Sequence, residues 1–223
     1  MSNRKVYYSF NEIPFDSGYS NSYNNRWGLK FSRTEIFQII ISVSVLTIAF
    51  SFALAPNPPL FHLSSVLYNV PIAFLAIVTA FLFHEIAHKY MGQKYGYWSE
   101  FRMFPMGLLL ALFLGLVTGF VFATPGAVQI FGSPNREETG KISAAGPLMN
   151  ITISSIFFVL MLVSTGILSQ LFYLTAYINA FLAFFNLLPF GPLDGRKILY
   201  WRKEVWGALL FFSISILILI YLG

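Results

Sequence analysis

Six stretches of nearly uninterrupted apolar residues, at about 36–54, 69–88, 106–124, 142–165, 171–190 and 205–222, leave this chain few ways to fold. A helix needs roughly 20 apolar residues to cross the hydrocarbon of a bilayer, and all six lie in that range. Hydrophobic residues make up 57% of the 223 and charged residues only 10%, against about 45–50% and 25% in soluble domains. The pattern predicts an all-α polytopic membrane protein with five to six transmembrane helices. A single transmembrane domain over 35–223 leaves no room for a further soluble one. Residues 1–34 are polar, rich in Ser, Asn and Tyr, and lack the apolar core of a signal peptide. They read as a disordered tail, with a gate or docking segment as the alternative.

The basic residues give a topology. Arg4, Lys5, Arg26, Lys30 and Arg33 precede the first apolar segment, and Lys89, Lys94 and Arg102 follow the second. Arg136 and Lys141 precede the fourth, and Arg196, Lys197, Arg202 and Lys203 the last, while 55–68 and 166–170 carry none. By the positive-inside rule the N-terminus is cytoplasmic, in a multi-pass protein of the cell membrane. The net charge of +5 belongs to this pattern, and without basic runs interleaved with aromatics no nucleic-acid partner is expected. The loops 89–102 and 132–141 both read as cytoplasmic, so a full crossing between them breaks parity. Residues 101–131 are therefore expected to enter the membrane and return, broken at Gly107, Gly115, Gly119, Pro125 and Gly126; an ordinary sixth span is the alternative. A re-entrant segment must hide its backbone polar groups against protein or a wet cavity.

Chemistry enters at His84-Glu85-Ile86-Ala87-His88. On a helix the two histidines stand one turn apart on one face, so both imidazoles can reach one metal ion, with Glu85 beside them as a general base. Ionisable groups in a membrane helix are costly unless they are used. Asp194 follows Asn186-Leu187-Leu188-Pro189-Phe190-Gly191-Pro192-Leu193 and sits at the same predicted depth. Pro189, Gly191, Pro192 and Gly195 should break the helix and give Asp194 an irregular backbone. A carboxylate there completes a two-His, one-acid set and leaves a fourth position for water; a surface ion pair with Arg196 or Lys197 is the competing reading. Apart from Glu85 and Asp194, the remaining acids are expected in the tail and loops. Without cysteine, thiolate ligation and disulfides are excluded.

His84–His88, the Gly146-Pro147-Leu148-Met149-Asn150 element and the 186–195 segment occur in the order found in intramembrane zinc metalloproteases. Over about 69–200 the chain resembles the site-2 protease family, as a minimal core without PDZ or CBS domains. The resemblance implies one zinc ion per chain, with His84, His88 and Asp194 as metal ligands. It also implies a zinc-activated water, with Glu85 as catalytic base. Asn186 matches an asparagine that binds substrate or the oxyanion, and Asn150 a polar position near the site. The family carries a β-rich membrane-embedded element where 101–131 lies. The implied partners are the lipid bilayer and a transmembrane protein or peptide, cut within or near its helix close to the cytoplasmic side.

Two other functions use the same residues. A metal-binding or metal-transporting membrane protein without proteolytic activity could place His and Asp in its spans, but would not need Glu85. A silent regulator could keep the fold alone. His62, in the outer connection, is expected to stay away from the metal. Oligomeric state, substrate and the side of substrate entry leave no mark in the sequence.

Overall fold

The computed structural model describes residues 28–57, 60, 62–121 and 125–222. Most of the polar tail expected over 1–34 lies outside them. The described chain forms α1 (Arg33–Ala53), α2 (Leu63–Lys94), β1 (Trp98–Met103), α3 (Pro105–Thr118) and β2 (Gly126–Phe131). It continues through α4 (Arg136–Leu162), α5 (Gly166–Asn186), α6 (Asp194–Trp201) and α7 (Lys203–Leu222).

Among the described residues five helices, α1, α2, α4, α5 and α7, are long and apolar enough to cross a membrane. The stretch 106–124 does not supply a sixth. Its helix, α3, has 14 residues and a length of about 21 Å at 1.5 Å per residue, short of the roughly 30 Å hydrocarbon core. Two strands flank it and pair antiparallel, with Trp98 opposite Phe131 and Met103 opposite Gly126. The re-entrant segment is thus strand–helix–strand and begins slightly before residue 101. Of the glycines expected to break it, Gly119 does so, ending α3 in the left-handed region at φ 70°, which glycine adopts without steric cost. Gly115 instead continues the helix and lets it approach α1, since a Cβ there would lie 2.5 Å from the carbonyl oxygen of Ala49.

Local sequence accounts for two helix starts. Ser32 with Glu35 and Asn135 with Glu138 form capping boxes at α1 and α4, in which each side chain satisfies a backbone N–H of the other's residue. α2 departs from regular geometry over Val78–Leu82, a π-helical turn just before His84. The wider turn shifts every following side chain around the axis and so sets which face His84 and His88 present.

Two apolar clusters fix the site's surroundings. Val43, Leu46, Ile77, Phe81, Phe101 and Leu108 join α1, α2, β1 and α3, with Phe81 edge-on to Phe101 at 5.6 Å. Ile151, Ala183, Leu187, Ile198 and Leu209 join α4 through α7. Between α4 and α5 the packing is close. Ala176, Ala180 and Ala183 are fully buried, and the Ser154 hydroxyl donates to Ala176 O at 2.8 Å. Small residues of this kind let membrane helices approach backbone to backbone.

Candidate metal centre

His84 and His88 project from α2 one turn apart, and the start of α6 brings Asp194 to them. His84 Nε2 and His88 Nε2 lie 2.9 Å apart. Asp194 Oδ2 lies 3.4 Å from the first and 3.0 Å from the second. All three side chains are buried and form a group able to hold a metal ion. Bonds of 2.0–2.1 Å in tetrahedral geometry place ligand atoms about 3.3 Å apart, close to these separations. His88 Nδ1 donates to Ile142 O at 2.8 Å, which fixes the tautomer and leaves the Nε2 lone pair facing the group. His84 Nδ1 is buried without a partner among the described residues. The donor set, two imidazoles and a carboxylate with room for a fourth ligand, fits zinc.

The wall opposite the imidazoles is Gly146. A Cβ there would come within 2.6 Å of His84 Nε2, so the glycine leaves the space in which the three ligand atoms converge. Asn150, one turn further along α4, is fully buried, and neither its Nδ2 nor its Oδ1 has a partner among the described residues.

Asp194 is not on irregular backbone, as its neighbours suggested. Residues 187–193 form the break, with Gly191 at φ 60°, and Asp194 is the first residue of α6. Leu187 is fully buried, and its carbonyl accepts from Trp206 Nε1 at 2.7 Å, which pins the break to α7. Lys197 stands 3.6 Å from Asp194 Oδ1, so the ion pair weighed against a ligand role coexists with the cluster. Burial raises the pKa of the Asp194 carboxyl, but the imidazoles of His88 and His84 outweigh it and hold the group well below the usual carboxylate range.

Glu85 points to the re-entrant segment. Its Oε2 accepts the backbone N–H of Val128, in β2, at 2.9 Å. Phe101, opposite Val128 in the sheet, turns its own N–H the other way, to Glu35 Oε1 at 3.0 Å. Met103 N–H likewise bonds Gln38 Oε1 at 2.9 Å, so α1 caps the outer edge of β1 while the outer edge of β2 faces Glu85. Asn186 ends α5, and its Nδ2 donates to Leu182 O at 3.0 Å. His62 precedes α2 and is not part of the metal-binding group.

Sequence reasoning missed Glu35 and Lys89. Glu35 read as a tail or loop acid and Lys89 as a loop charge. Glu35 is fully buried and Lys89 1% exposed, and they pair at 2.8 Å. The capping motif around Ser32 marks Glu35 as helical, but nothing in the sequence marks its partner.

Residues 162–207 match the model described as "Peptidase family M50". The chain is 42% identical over 181 residues, 80% of its length, to the "Putative zinc metalloprotease MJ0611" of Methanocaldococcus jannaschii, 90% of which is covered. It is 32% identical over 155 residues, 58% of its length, to the "Putative zinc metalloprotease YwhC" of Bacillus subtilis, 68% of which is covered. No solved structure matches.

Proposed function

The chain belongs to peptidase family M50, the site-2 protease family, and from that premise, as a zinc metalloprotease of the membrane, we propose that it is an endopeptidase cutting within or near a transmembrane helix. The observation that carries this reading is the meeting of Glu85 with the buried His84–His88–Asp194 group beside a strand edge. A metal binder or transporter has no use for a carboxylate held by a strand N–H next to its ligands.

In this reading His84, His88 and Asp194 hold zinc. When bound, zinc supplies a Lewis acid that acidifies a water and polarises a carbonyl. Glu85 is the general base. Val128 holds its Oε2, leaving Oε1 to take the proton and later deliver it to the leaving amine. Asn186 Nδ2 spends one hydrogen on Leu182 O, and its second donates to the oxyanion. The substrate helix must unwind before its peptide is open to attack. Pairing of the unwound segment with the outer edge of β2 offsets that cost, because strand addition replaces the hydrogen bonds the helix loses. The positive-inside pattern supports a cytoplasmic N-terminus and places the site near the cytoplasmic surface, where water reaches it. Residues 35–223 act as one catalytic unit.

The test is cleavage of a tagged model transmembrane helix by purified protein in detergent, before and after chelation and with zinc restored. Loss on chelation and recovery with zinc are expected. Cleavage that persists in demonstrably zinc-free protein would overturn the reading.

A further inference from the structure

Lys89 follows His88 directly and is almost fully buried. A charge in that position is costly unless it is paired and hydrogen-bonded. Its Nζ lies 2.8 Å from Glu35 Oε2 and donates to Ser99 O at 2.6 Å, beneath the ring of Phe31 at 4.6 Å. Glu35 gives its other oxygen to Phe101 N–H. One ion pair therefore touches three elements: α1 through Glu35, α2 through Lys89, and β1 through Ser99 and Phe101.

The contacts at β1 are with outward-facing groups of the strand. In hydrocarbon a strand edge with unsatisfied groups is not tolerated. An apolar plug of the same volume would pack α1 against α2 but leave Phe101 N–H without its acceptor and Ser99 O with only the longer bond from Gln93 Nε2 at 3.5 Å. The pair thus does something that packing alone does not. Across the sheet, Phe101 faces Val128, whose N–H rests on Glu85. Lys89 and Glu85 are four residues apart on α2, so the same helix holds the re-entrant sheet at both edges.

We propose that the Lys89–Glu35 pair positions the β1–β2 sheet against Glu85, so that the outer edge of β2 and the Val128 N–H meet that carboxylate. Lys89 and Glu35 are positioning residues. Their effect on cleavage rests on the protease reading above, whereas the coupling between the pair and the sheet does not.

The experiment uses zinc-loaded full-length protein in nanodiscs. Lys89→Met with Glu35→Gln removes both charges together, because either change alone leaves a buried charge unpaired and endangers folding. Gln38→Leu, an uncharged change, removes only the acceptor of Met103 N–H. Thermal midpoint, zinc content, amide exchange over 98–103 and 126–131, and kcat/KM on a model transmembrane helix are measured on each. The double variant should keep its zinc and stay cooperatively folded, with a midpoint lowered modestly by the lost bond to Ser99 O, while exchange over 126–131 quickens roughly tenfold. Its kcat/KM should fall on the order of 10²-fold, the usual effect of a misplaced catalytic group. Gln38→Leu should move the same two quantities, by less. Wild-type exchange at 126–131 in a folded double variant would overturn the proposal. So would a loss of activity that follows lost zinc in both variants, the mark of general structural support. If wild type cuts no helix, the protease reading fails, and exchange at 126–131 still decides the coupling.

Discussion

Val128 donates its backbone N–H to Glu85 Oε2 at 2.9 Å, although 43 residues separate them and no side chain of Val128 takes part. A strand edge and the carboxylate of the metal-binding motif are thereby in register. A peptide added to that edge as a further strand would run past Glu85.

The roles of Glu85 and Asp194 should separate in one experiment. On the proposed roles Glu85→Gln removes a base but no ligand, so zinc content should stay near wild type while cleavage falls by about 10²–10⁴. Asp194→Asn removes an anionic ligand, and zinc retention against a chelator should weaken by roughly 100-fold or more, taking activity with it. Zinc and cleavage are measured on the same samples. Equal cutting by Glu85→Gln and wild type would end the general-base assignment.

Gly146→Ala should cost the site its metal. The added methyl would lie within 2.6 Å of His84 Nε2, and α4 cannot retreat without moving Ile142, the partner of His88. Gly207→Ala on α7 meets nothing within 4 Å and should be neutral, or stabilising by about 0.5–1 kcal/mol. Zinc content of the two variants makes the comparison. Full zinc in Gly146→Ala would show that the imidazoles can turn aside.

Proline scanning tests the strand edge. Val128→Pro deletes the donor to Glu85, and Ile130→Pro alters the same outward edge two residues on. Both should lose cleavage with zinc retained, Val128→Pro because Glu85 loses the N–H that holds it and Ile130→Pro because proline cannot donate to an added strand. Substrates that are cut normally by both variants would rule out pairing along β2.

Trp206→Phe isolates the anchor of the 187–193 break. It removes the bond from Trp206 Nε1 to the buried Leu187 carbonyl, leaving a buried acceptor unsatisfied at a cost of about 1–3 kcal/mol. The thermal midpoint in detergent should drop accordingly. An unchanged midpoint would mean that another donor reaches Leu187.

Much of this arrangement was legible in the sequence because it rests on composition and spacing. Apolar length marks the crossing helices, and charge parity marks 101–131 as re-entrant. The i,i+4 spacing puts His84 and His88 on one face. What was not legible depends on backbone or on distant partners. The N–H of Val128 is a group every residue but proline carries, so no pattern announces its bond to Glu85. The π turn at Val78–Leu82 has no compositional sign, and Lys89 reads as a topology charge until α1 and β1 are seen against it. Gly115 looks like a helix breaker beside Gly119. Only the nearness of α1 shows that one glycine serves close packing and the other a turn.

The seam between α4 and α5 bears on how a substrate can arrive. Ala176 and Ala180 of α5 seat Phe157 and Phe158 of α4, and the bond from Ser154 to Ala176 O ties the two helices besides. Parting these helices uncovers both rings and breaks that bond, which makes this boundary a hinge post rather than a door. An incoming helix is better served by a wall held by apolar contacts alone, where lipid can take the place of each side chain that moves.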